Sequence, residues 1–358
     1  MKILHIISDK NIGGAGHLLL NLLHEADISV FDISVILPRG SMLTRLIDEL
    51  GVKAVEVDAF NLKTLYREIK KQAPDIVHTH AAGGARVAAK LCGSIATVNT
   101  KHCANDSYKR KSFLKKAVIR CFDKLFTDFT IATAHYAREA LMRDGIPPNK
   151  IKVIINGSLP LKELSTDEKA KARKKLGYTE EDFLVGIVGR LEHGKGQEIF
   201  IRAAEICQKA APQIKFLIVG SGSMEKELKS LASELENIKF LGFLPDVTEI
   251  MNILDANVNC SYLSETSSLS LSEGMSVGAI PIVSNCGGNA FMASDCGLVF
   301  PKKDAPKLAD ALISLSKSPS TVSSLKAKAI QKFAQNFTAT KMAKETEGLY
   351  FKLADLFN

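Results

Sequence analysis

The sequence predicts an α/β protein made of two Rossmann-like domains, each a parallel sheet covered by helices, facing a central cleft. Three observations carry that expectation. Short apolar runs rich in Val and Ile alternate with stretches of helical periodicity along the whole chain, the pattern of strands buried on both faces by crossover helices. The chain has 358 residues, more than one hydrophobic core ordinarily serves. A charged helical stretch, Ser165–Leu176, interrupts the alternation near the middle and reads as the linker.

In the first half the spacing predicts strands over Lys2–Ser8, Phe31–Leu37, Ala54–Val57, Ile76–His80, Ile95–Thr100, Thr130–Ala134 and Ile151–Ile155. In the second half it predicts Phe183–Val188, Lys215–Val219, Ile238–Leu241, Ala256–Cys260 and Ile280–Ser284. The tail from Thr338 is helical by spacing. The expected division is residues 1–160, residues 161–337, and a C-terminal helix over 338–358 that packs back on the N-terminal domain.

Composition removes several function classes. With 46% hydrophobic and 24% charged residues the chain is globular rather than disordered. The opening Met1–Asp9 has too short an apolar run for a signal peptide, glycines soon follow, and no cleavage site is evident, so it reads as a first buried strand. No stretch approaches the roughly 18 apolar residues of a spanning helix. Seven scattered cysteines without a CxxC pair argue against a disulfide framework or a zinc site. They point to a reducing compartment, hence the cytoplasm. A net charge of +8 implies an acidic partner, and nucleotide phosphate, nucleic acid and anionic lipid all qualify.

Two glycine clusters follow apolar strands. Gly13-Gly14-Ala15-Gly16 precedes the helical run Leu18–Leu23; glycines there let backbone N–H groups and a helix N-terminus approach an anion. The spacing is not that of a dinucleotide fingerprint, since Leu19 stands where its third glycine belongs. Hydride transfer is therefore disfavoured. The second cluster, Gly189-Arg190-Leu191-Glu192-His193-Gly194-Lys195-Gly196, nearly matches a P-loop, but position 196 lacks the hydroxyl that would hold magnesium. What remains is a pair of cations, Arg190 and Lys195, able to neutralise a diphosphate without a metal; the plainer reading is a solvated basic turn.

The most specific feature is Ser264 to Ser284, where Glu265 and Glu273 stand eight positions apart, the first in a small-residue loop and the second on the helix that follows. Loop N–H groups can then meet phosphate while the carboxylates accept hydrogen bonds from sugar hydroxyls. Two surface glutamates would be the bland alternative, and the apolar setting of Leu269 and Leu271 fits it poorly. Cys286-Gly287-Gly288-Asn289 makes another open turn downstream.

The stretch from Glu265 to Asn289 resembles the E-x7-E signature of the retaining glycosyltransferase family four, which has the GT-B fold. The same family order holds for Gly13-Gly14, Pro74–His80, Thr100-Lys101-His102, Val153–Gly157, Gly189–Gly196 and Val219–Gly222, so the resemblance spans nearly the whole chain. It implies a glycosyltransferase with an N-terminal acceptor-binding domain and a C-terminal domain for a nucleotide-diphosphate sugar, a UDP-sugar being favoured, with no cofactor and no metal. It implies that Arg190 and Lys195 hold the donor diphosphate with backbone help at Gly14, and that Glu273 holds the ribose. Glu265 and His102 would stand at the reacting centre, backbone near Ser268 and Leu269 would close over sugar and phosphate, and Leu244 would pack on the nucleobase. The acceptor would be a sugar or a lipid-linked sugar in cell-envelope polysaccharide or glycolipid synthesis. Three departures bear on the donor: Thr266-Ser267-Ser268 replaces the usual Gly-Phe-Gly, Gly16-His17 replaces Glu-Arg, and Ser158 replaces Asp. A nucleotide-sugar-binding or epimerising protein on the same fold is the main alternative. A P-loop-like nucleotidase is the lesser one. His78 and His80 end a strand, where a satisfied structural histidine is as good a reading as a site residue.

One further segment combines charge with apolar spacing. Phe113, Leu114, Ala117, Val118, Cys121, Phe122, Leu125 and Phe126 form a helical stripe, preceded by Lys109, Arg110 and Lys111 and flanked by Lys115, Lys116, Arg120 and Lys124. Residues 109–126 could thus lie on an anionic membrane surface at the inner face of the cytoplasmic membrane. The competing reading packs the stripe on the first domain's sheet. Nucleic acid is disfavoured because stacking aromatics do not alternate with these charges.

Overall fold

The structure is a computed structural model that describes residues 1–80, 82–93, 95–102, 113–263 and 265–357. The chain forms two compact units: Met1–Ser158 together with the chain from Thr338, and Leu159–Phe337. Each unit is an α/β layer structure on one parallel sheet, the fold class expected of the sequence.

The first sheet has seven strands: β1 (Lys2–Ile7), β2 (Asp32–Pro38), β3 (Lys53–Val57), β4 (Ile76–His80), β5 (Ala96–Lys101), β6 (Phe129–Ala132) and β7 (Ile151–Val153). Their order is β3-β2-β1-β4-β5-β6-β7. The order reverses between β1 and β4, so the connections leaving their carboxyl ends diverge and open a crevice there. The strands read as near-continuous apolar runs because helices cover both faces; in β1 every residue from Ile3 to Ile7 is buried. The helix Gly14–Glu25 follows β1 and buries Leu18, Leu19, Leu22 and Leu23, an i, i+1, i+4, i+5 set that makes one apolar stripe. Burial of each such leucine is worth about 1.5–3 kcal/mol.

The C-terminal helix Ala339–Phe357 belongs to this unit and packs on the helix Gly14–Glu25. A short bridge pairs Ser158 with Thr338, and Ala339 N–H donates to the Ser158 carbonyl at 2.9 Å. A side chain at Gly157 would come within 2.2 Å of the Thr338 carbonyl oxygen, so the Asn156-Gly157-Ser158 motif is explained by close backbone approach.

The second sheet has six strands: β8 (Phe183–Val188), β9 (Ile214–Val219), β10 (Ile238–Gly242), β11 (Ala256–Asn259), β12 (Ile280–Ser284) and β13 (Leu298–Phe300), in the order β10-β9-β8-β11-β12-β13. Here the reversal lies between β8 and β11. Strand β13 was not expected from the sequence. It is three residues long with only Phe300 buried, so it offers no apolar run to recognise.

The charged stretch expected to be a helical linker is helical, Thr166–Lys175, but belongs to the second unit. Ser165 and Glu168 form a capping box at its start, which is why a highly charged segment holds helical form. Ala172 is buried in the unit's core. Arg173 donates to Asp255 at 2.9 Å, and Lys326 donates to the other oxygen of the same carboxylate at 2.7 Å. Its charge therefore marks a paired anchor rather than a solvated tether.

Candidate functional site

In the second unit Lys195 and Glu265 come together at the crevice where β8 and β11 end. The loop after β8 runs from Gly189 to Gly196 and leads into the helix Gln197–Ala210. Gly196 caps that helix with φ of +80°, and a Cβ there would lie 2.2 Å from the Cys260 carbonyl oxygen. Only glycine satisfies both demands. The missing P-loop hydroxyl thus has a steric cause: the loop is pressed on the end of β11. Gln197, itself buried, donates from Nε2 to the Arg190 carbonyl at 2.9 Å and fixes the loop's start. The Arg190 side chain stays exposed.

Lys195 reaches Glu265, Nζ to Oε2, at 2.9 Å. The lysine side chain is 34% exposed and the glutamate's 11%, so the carboxylate is largely desolvated and the cation keeps one side toward water. The same Oε2 accepts from Ser261 Oγ at 3.1 Å and Asn259 Nδ2 at 3.4 Å. Behind them Asn289 Nδ2 spans Asn259 Oδ1 and Ser284 Oγ, and Ser284 Oγ donates to the Ser261 carbonyl. Asn259, Ser261 and Asn289 were not singled out in the sequence, although polar residues in the buried run Asn257-Val258-Asn259-Cys260-Ser261 were the available signal. The turn at Gly287, with φ of +54°, lets Gly288 N–H donate to the Glu265 carbonyl at 3.0 Å; a Cβ on Gly287 would meet that oxygen at 1.9 Å. The glycine-rich turn therefore positions Glu265 through its backbone. Ser264 lies outside the described residues.

Ser268 caps the helix Leu269–Ser276, its Oγ accepting from Leu271 N–H. The Ser268 N–H already donates to the Met292 sulfur at 3.3 Å, a weak acceptor that a stronger anion would outcompete. Leu269 begins the helix, where N–H groups lack intrahelical carbonyls. Glu273 sits on this helix, and burial raises its carboxyl to about 7. Leu244 is half-buried and packs on the core beside Leu241 and Val247, while its neighbour Phe243 is exposed.

In the first unit Gly14 opens the helix after β1 and is exposed, with no atom within 4 Å of where a Cβ would stand. His102 follows β5. Behind it stands a cluster of imidazoles: His80 Nδ1 lies 3.0 Å from His102 Nε2, and His80 Nε2 lies 3.1 Å from His5 Nδ1. His78 contacts the Tyr350 hydroxyl through Nδ1 at 2.6 Å and Thr100 Oγ1 through Nε2 at 2.7 Å. His5, His78 and His80 are all buried. Desolvation lowers His5 to about 3 and His102 to about 4, and holds His78 and His80 well below the usual imidazole range. All four rings are therefore neutral at neutral pH. The sequence had left His78 and His80 open; they are hydrogen-bonded interior groups. His5 and Tyr350 had given no signal, because their contacts span up to 345 positions.

The helix Phe113–Phe126 splits the stripe expected of it. Leu114, Val118 and Leu125 are 74%, 61% and 58% exposed, so the reading that packs this face on the sheet does not hold for them. Phe122 and Phe126 turn partly inward, and the Arg86 guanidinium sits 4.9 Å from the Phe122 ring centre. Lys109, Arg110 and Lys111 lie outside the described residues. Among the described residues no helix is long and apolar enough to cross a membrane.

Comparison with known proteins agrees with the two-sheet α/β fold. Residues 168–332 match the family model for glycosyl transferases group 1, and residues 12–158 match that for glycosyltransferase family 4. The chain is 29% identical over 349 residues to an Escherichia coli UDP-Gal:α-D-GlcNAc-diphosphoundecaprenol α-1,3-galactosyltransferase, covering 90% of this chain and 89% of that one. It is 32% identical over 164 residues, 43% of each chain, to a Corynebacterium glutamicum GDP-mannose-dependent monoacylated α-(1-6)-phosphatidylinositol monomannoside mannosyltransferase. Its fold matches the crystal structure of Anabaena HepE in complex with UDP at a TM-score of 0.88 and 20% identity, covering 98% of this chain and all of that one.

Proposed function

We propose that this chain, which belongs to glycosyltransferase family four, transfers a hexose from a UDP-sugar to a lipid-linked sugar, without metal and with retention of anomeric configuration. The observation that carries the proposal is the Lys195–Glu265 pair at the crevice where β8 and β11 end, with exposed Arg190 on the same loop as Lys195. A leaving nucleoside diphosphate gains negative charge as the glycosidic bond breaks, and preorganised cations there stabilise the transition state. Arg190 supplies a planar fork and Lys195 a compact charge. The sequence has no Asp-x-Asp element to bring a divalent ion in their place.

Glu265 is held against Lys195, Ser261 and Asn259 and presents its carboxyl toward a sugar bound beside the diphosphate. Glu273, whose carboxyl titrates near 7, suits a ribose diol, since a carboxyl can accept from both hydroxyls or donate to one. Ser268 and Leu269 close over sugar and phosphate, and Leu244 borders the base. In the first unit Gly14 offers helix N–H groups to phosphate, and His102 addresses a hydroxyl at the reacting centre. For a retaining transfer the acceptor hydroxyl attacks from the leaving-group face and gives its proton to a phosphate oxygen.

The lipid-linked acceptor and the uridine donor are supported by the Escherichia coli relative's name, and the exposed apolar face of Phe113–Phe126 supports a place on the inner surface of the cytoplasmic membrane. The test is a panel of UDP- and GDP-hexoses offered with a polyprenyl-diphosphate-linked sugar in EDTA, the product's anomeric configuration read by NMR. Transfer of a UDP-hexose with the donor's configuration supports the reading. Activity that EDTA abolishes and magnesium restores, or an inverted product, would refute it.

A further inference from the structure

Three donors converge on one oxygen of Glu265. Oε2 accepts from Lys195 Nζ at 2.9 Å, Ser261 Oγ at 3.1 Å and Asn259 Nδ2 at 3.4 Å. Lys195 has a second task in the proposed function, where it faces the diphosphate, so its hold on the carboxylate must slacken when the donor binds. The two neutral donors have no such task. Asn259 ends β11, Ser261 follows it, and both side chains are buried.

Backbone groups fix how those two donors are turned. Asn259 Oδ1 accepts from the Ser261 N–H at 3.0 Å, a group that can only donate, so the amide cannot be flipped and its Nδ2 must face Glu265. Ser284 Oγ donates its single proton to the Ser261 carbonyl, which can only accept, so toward Asn289 this hydroxyl must itself accept. Asn289 therefore aims its Nδ2 at both, one proton to Ser284 Oγ at 3.4 Å and the other to Asn259 Oδ1 at 3.3 Å. Ser284 holds Ser261 by its carbonyl, so Asn289 reaches each of the neutral donors to Glu265 through one intermediary or none.

These contacts leave Asn289 itself incompletely satisfied. Its side chain is fully buried, and its Oδ1 has no hydrogen-bond partner among the described residues. A buried acceptor left unpaired is destabilising. A leucine of similar size would carry no such penalty, and the groups that Asn289 serves would each keep a partner: Asn259 Oδ1 the Ser261 N–H, Ser284 Oγ the Ser261 carbonyl. Stability therefore does not account for an amide at this position, and a local choice that opposes stability points to function. We infer that Asn289 is a positioning residue: by aligning Asn259 and Ser261 from behind, it fixes the Glu265 carboxylate through Oε2, so that the carboxylate keeps its setting when Lys195 turns to the diphosphate. The inference rests on the proposed reading of Glu265 as the group beside the transferred sugar.

The experiment is a double-mutant cycle on the full chain, following release of UDP from UDP-galactose and UDP-glucose in the parent, Asn289→Leu, Glu265→Gln and the double variant, with a denaturant midpoint for each. Asn289→Leu should unfold at the parent's midpoint or above it. Its kcat should fall about tenfold with KM nearly unchanged, since misplacing a group by about 1 Å can cost up to about a hundredfold. Glu265→Gln should lose most of its turnover, and in that background Asn289→Leu should have no further effect on kcat, because it acts through that carboxylate. Asn289→Ala, which removes the amide without adding bulk, should lose the same factor and serves if leucine does not fit. Parental kcat in the folded Asn289 variants overturns the inference while leaving Glu265 in the site. An equal fall of kcat in the Glu265→Gln background also overturns it, as does a midpoint well below the parent's in both Asn289 variants, which would make the amide a stabilising part of the core. Full turnover by Glu265→Gln would refute the reading of Glu265, and the inference with it.

Discussion

Along and just beyond its central strands the first unit gathers four neutral imidazoles and a phenol, whereas the second unit sets the charged pair Lys195 and Glu265 just beyond β8 and β11. Both sheets reverse direction at their first strand, so topology does not account for the difference. Neutral groups that exchange hydrogen bonds can be buried completely, as His5, His78 and His80 are. A cation cannot be buried so without a paired anion, because that costs several kcal/mol. Lys195 is kept partly open and borrows Glu265 as a partner, and Arg190 remains in water.

The largest expected effect separates the two by pH. Below about 6.5 an unfolded imidazole takes up a proton, while the folded rings stay neutral down to about 3 for His5 and about 4 for His102. The unfolded state then binds more protons, so stability is highest above 6.5 and is lost as pH falls toward 4, by about 1.4 kcal/mol per pH unit for each ring kept neutral. Glu273 has the opposite sign. Its folded carboxyl, raised to about 7, holds a proton that the unfolded one releases, so its contribution is present below the unfolded value and is lost as pH rises through 7. Denaturant unfolding at pH 7.5, 6 and 5 should show a loss of several kcal/mol toward acid, steeper in Glu273→Gln. A flat profile between 6.5 and 5 would mean that the imidazoles are not held neutral.

A smaller effect tests why the second unit's loop is not a P-loop. Gly196→Ser restores the hydroxyl, but at φ of +80° and with its Cβ 2.2 Å from the Cys260 carbonyl oxygen. It should destabilise the protein by about 3 kcal/mol and confer no magnesium dependence. A variant that melts with the parent would show that the β8 loop has room the structure denies it.

How much of this was legible in sequence follows from the range of the interactions. Strands such as Phe183–Val188 and Ile280–Ser284 are local, largely apolar runs and stand where the spacing put them. Glu265 and Glu273 were visible because both lie in one short segment. The imidazole chain was not, since His5 and Tyr350 come together only when β1 and the C-terminal helix are folded. Thr166–Lys175 misled because its charges resemble a tether's, and the partner that makes Arg173 structural, Asp255, lies 82 positions away.

Next in size, Arg190→Ala and Lys195→Ala should each weaken UDP by about 1.5–3 kcal/mol and leave uridine nearly unchanged, since the proposed function sets both cations against phosphate. Lys195→Ala should also change the setting of Glu265, which would keep Ser261 and Asn259 as donors. Calorimetry with UDP and uridine checks both. If neither variant separates the two ligands, the second unit's charges are not the anion site, and the contrast with the first unit loses its functional meaning.

The smallest effect per residue concerns a helix of the first unit that carries exposed cations beside an exposed apolar face. Leu114, Val118, Cys121 and Leu125 recur at i, i+4, i+7 and i+11 and are exposed on the helix Phe113–Phe126, while Phe122 beneath Arg86 anchors the helix from its other side. Lys115, Arg120 and Lys124 border the exposed face, and all three are themselves exposed. An apolar face with cations at its edges can sink into the headgroup region, each cation near an anionic surface adding about 1 kcal/mol. Sedimentation with vesicles containing phosphatidylglycerol should therefore exceed that with neutral vesicles and fall at high salt. Lys115→Gln with Arg120→Gln should weaken binding to the anionic vesicles by about 2 kcal/mol and leave UDP affinity at the parent's value, because neither residue is among those assigned to the donor. Leu114→Ser with Leu125→Ser should reduce binding to both kinds of vesicle, since it removes the apolar term. A protein that stays in the supernatant with every vesicle, or a charge-neutral variant that pellets like the parent, would move the acceptor from the membrane surface into solution.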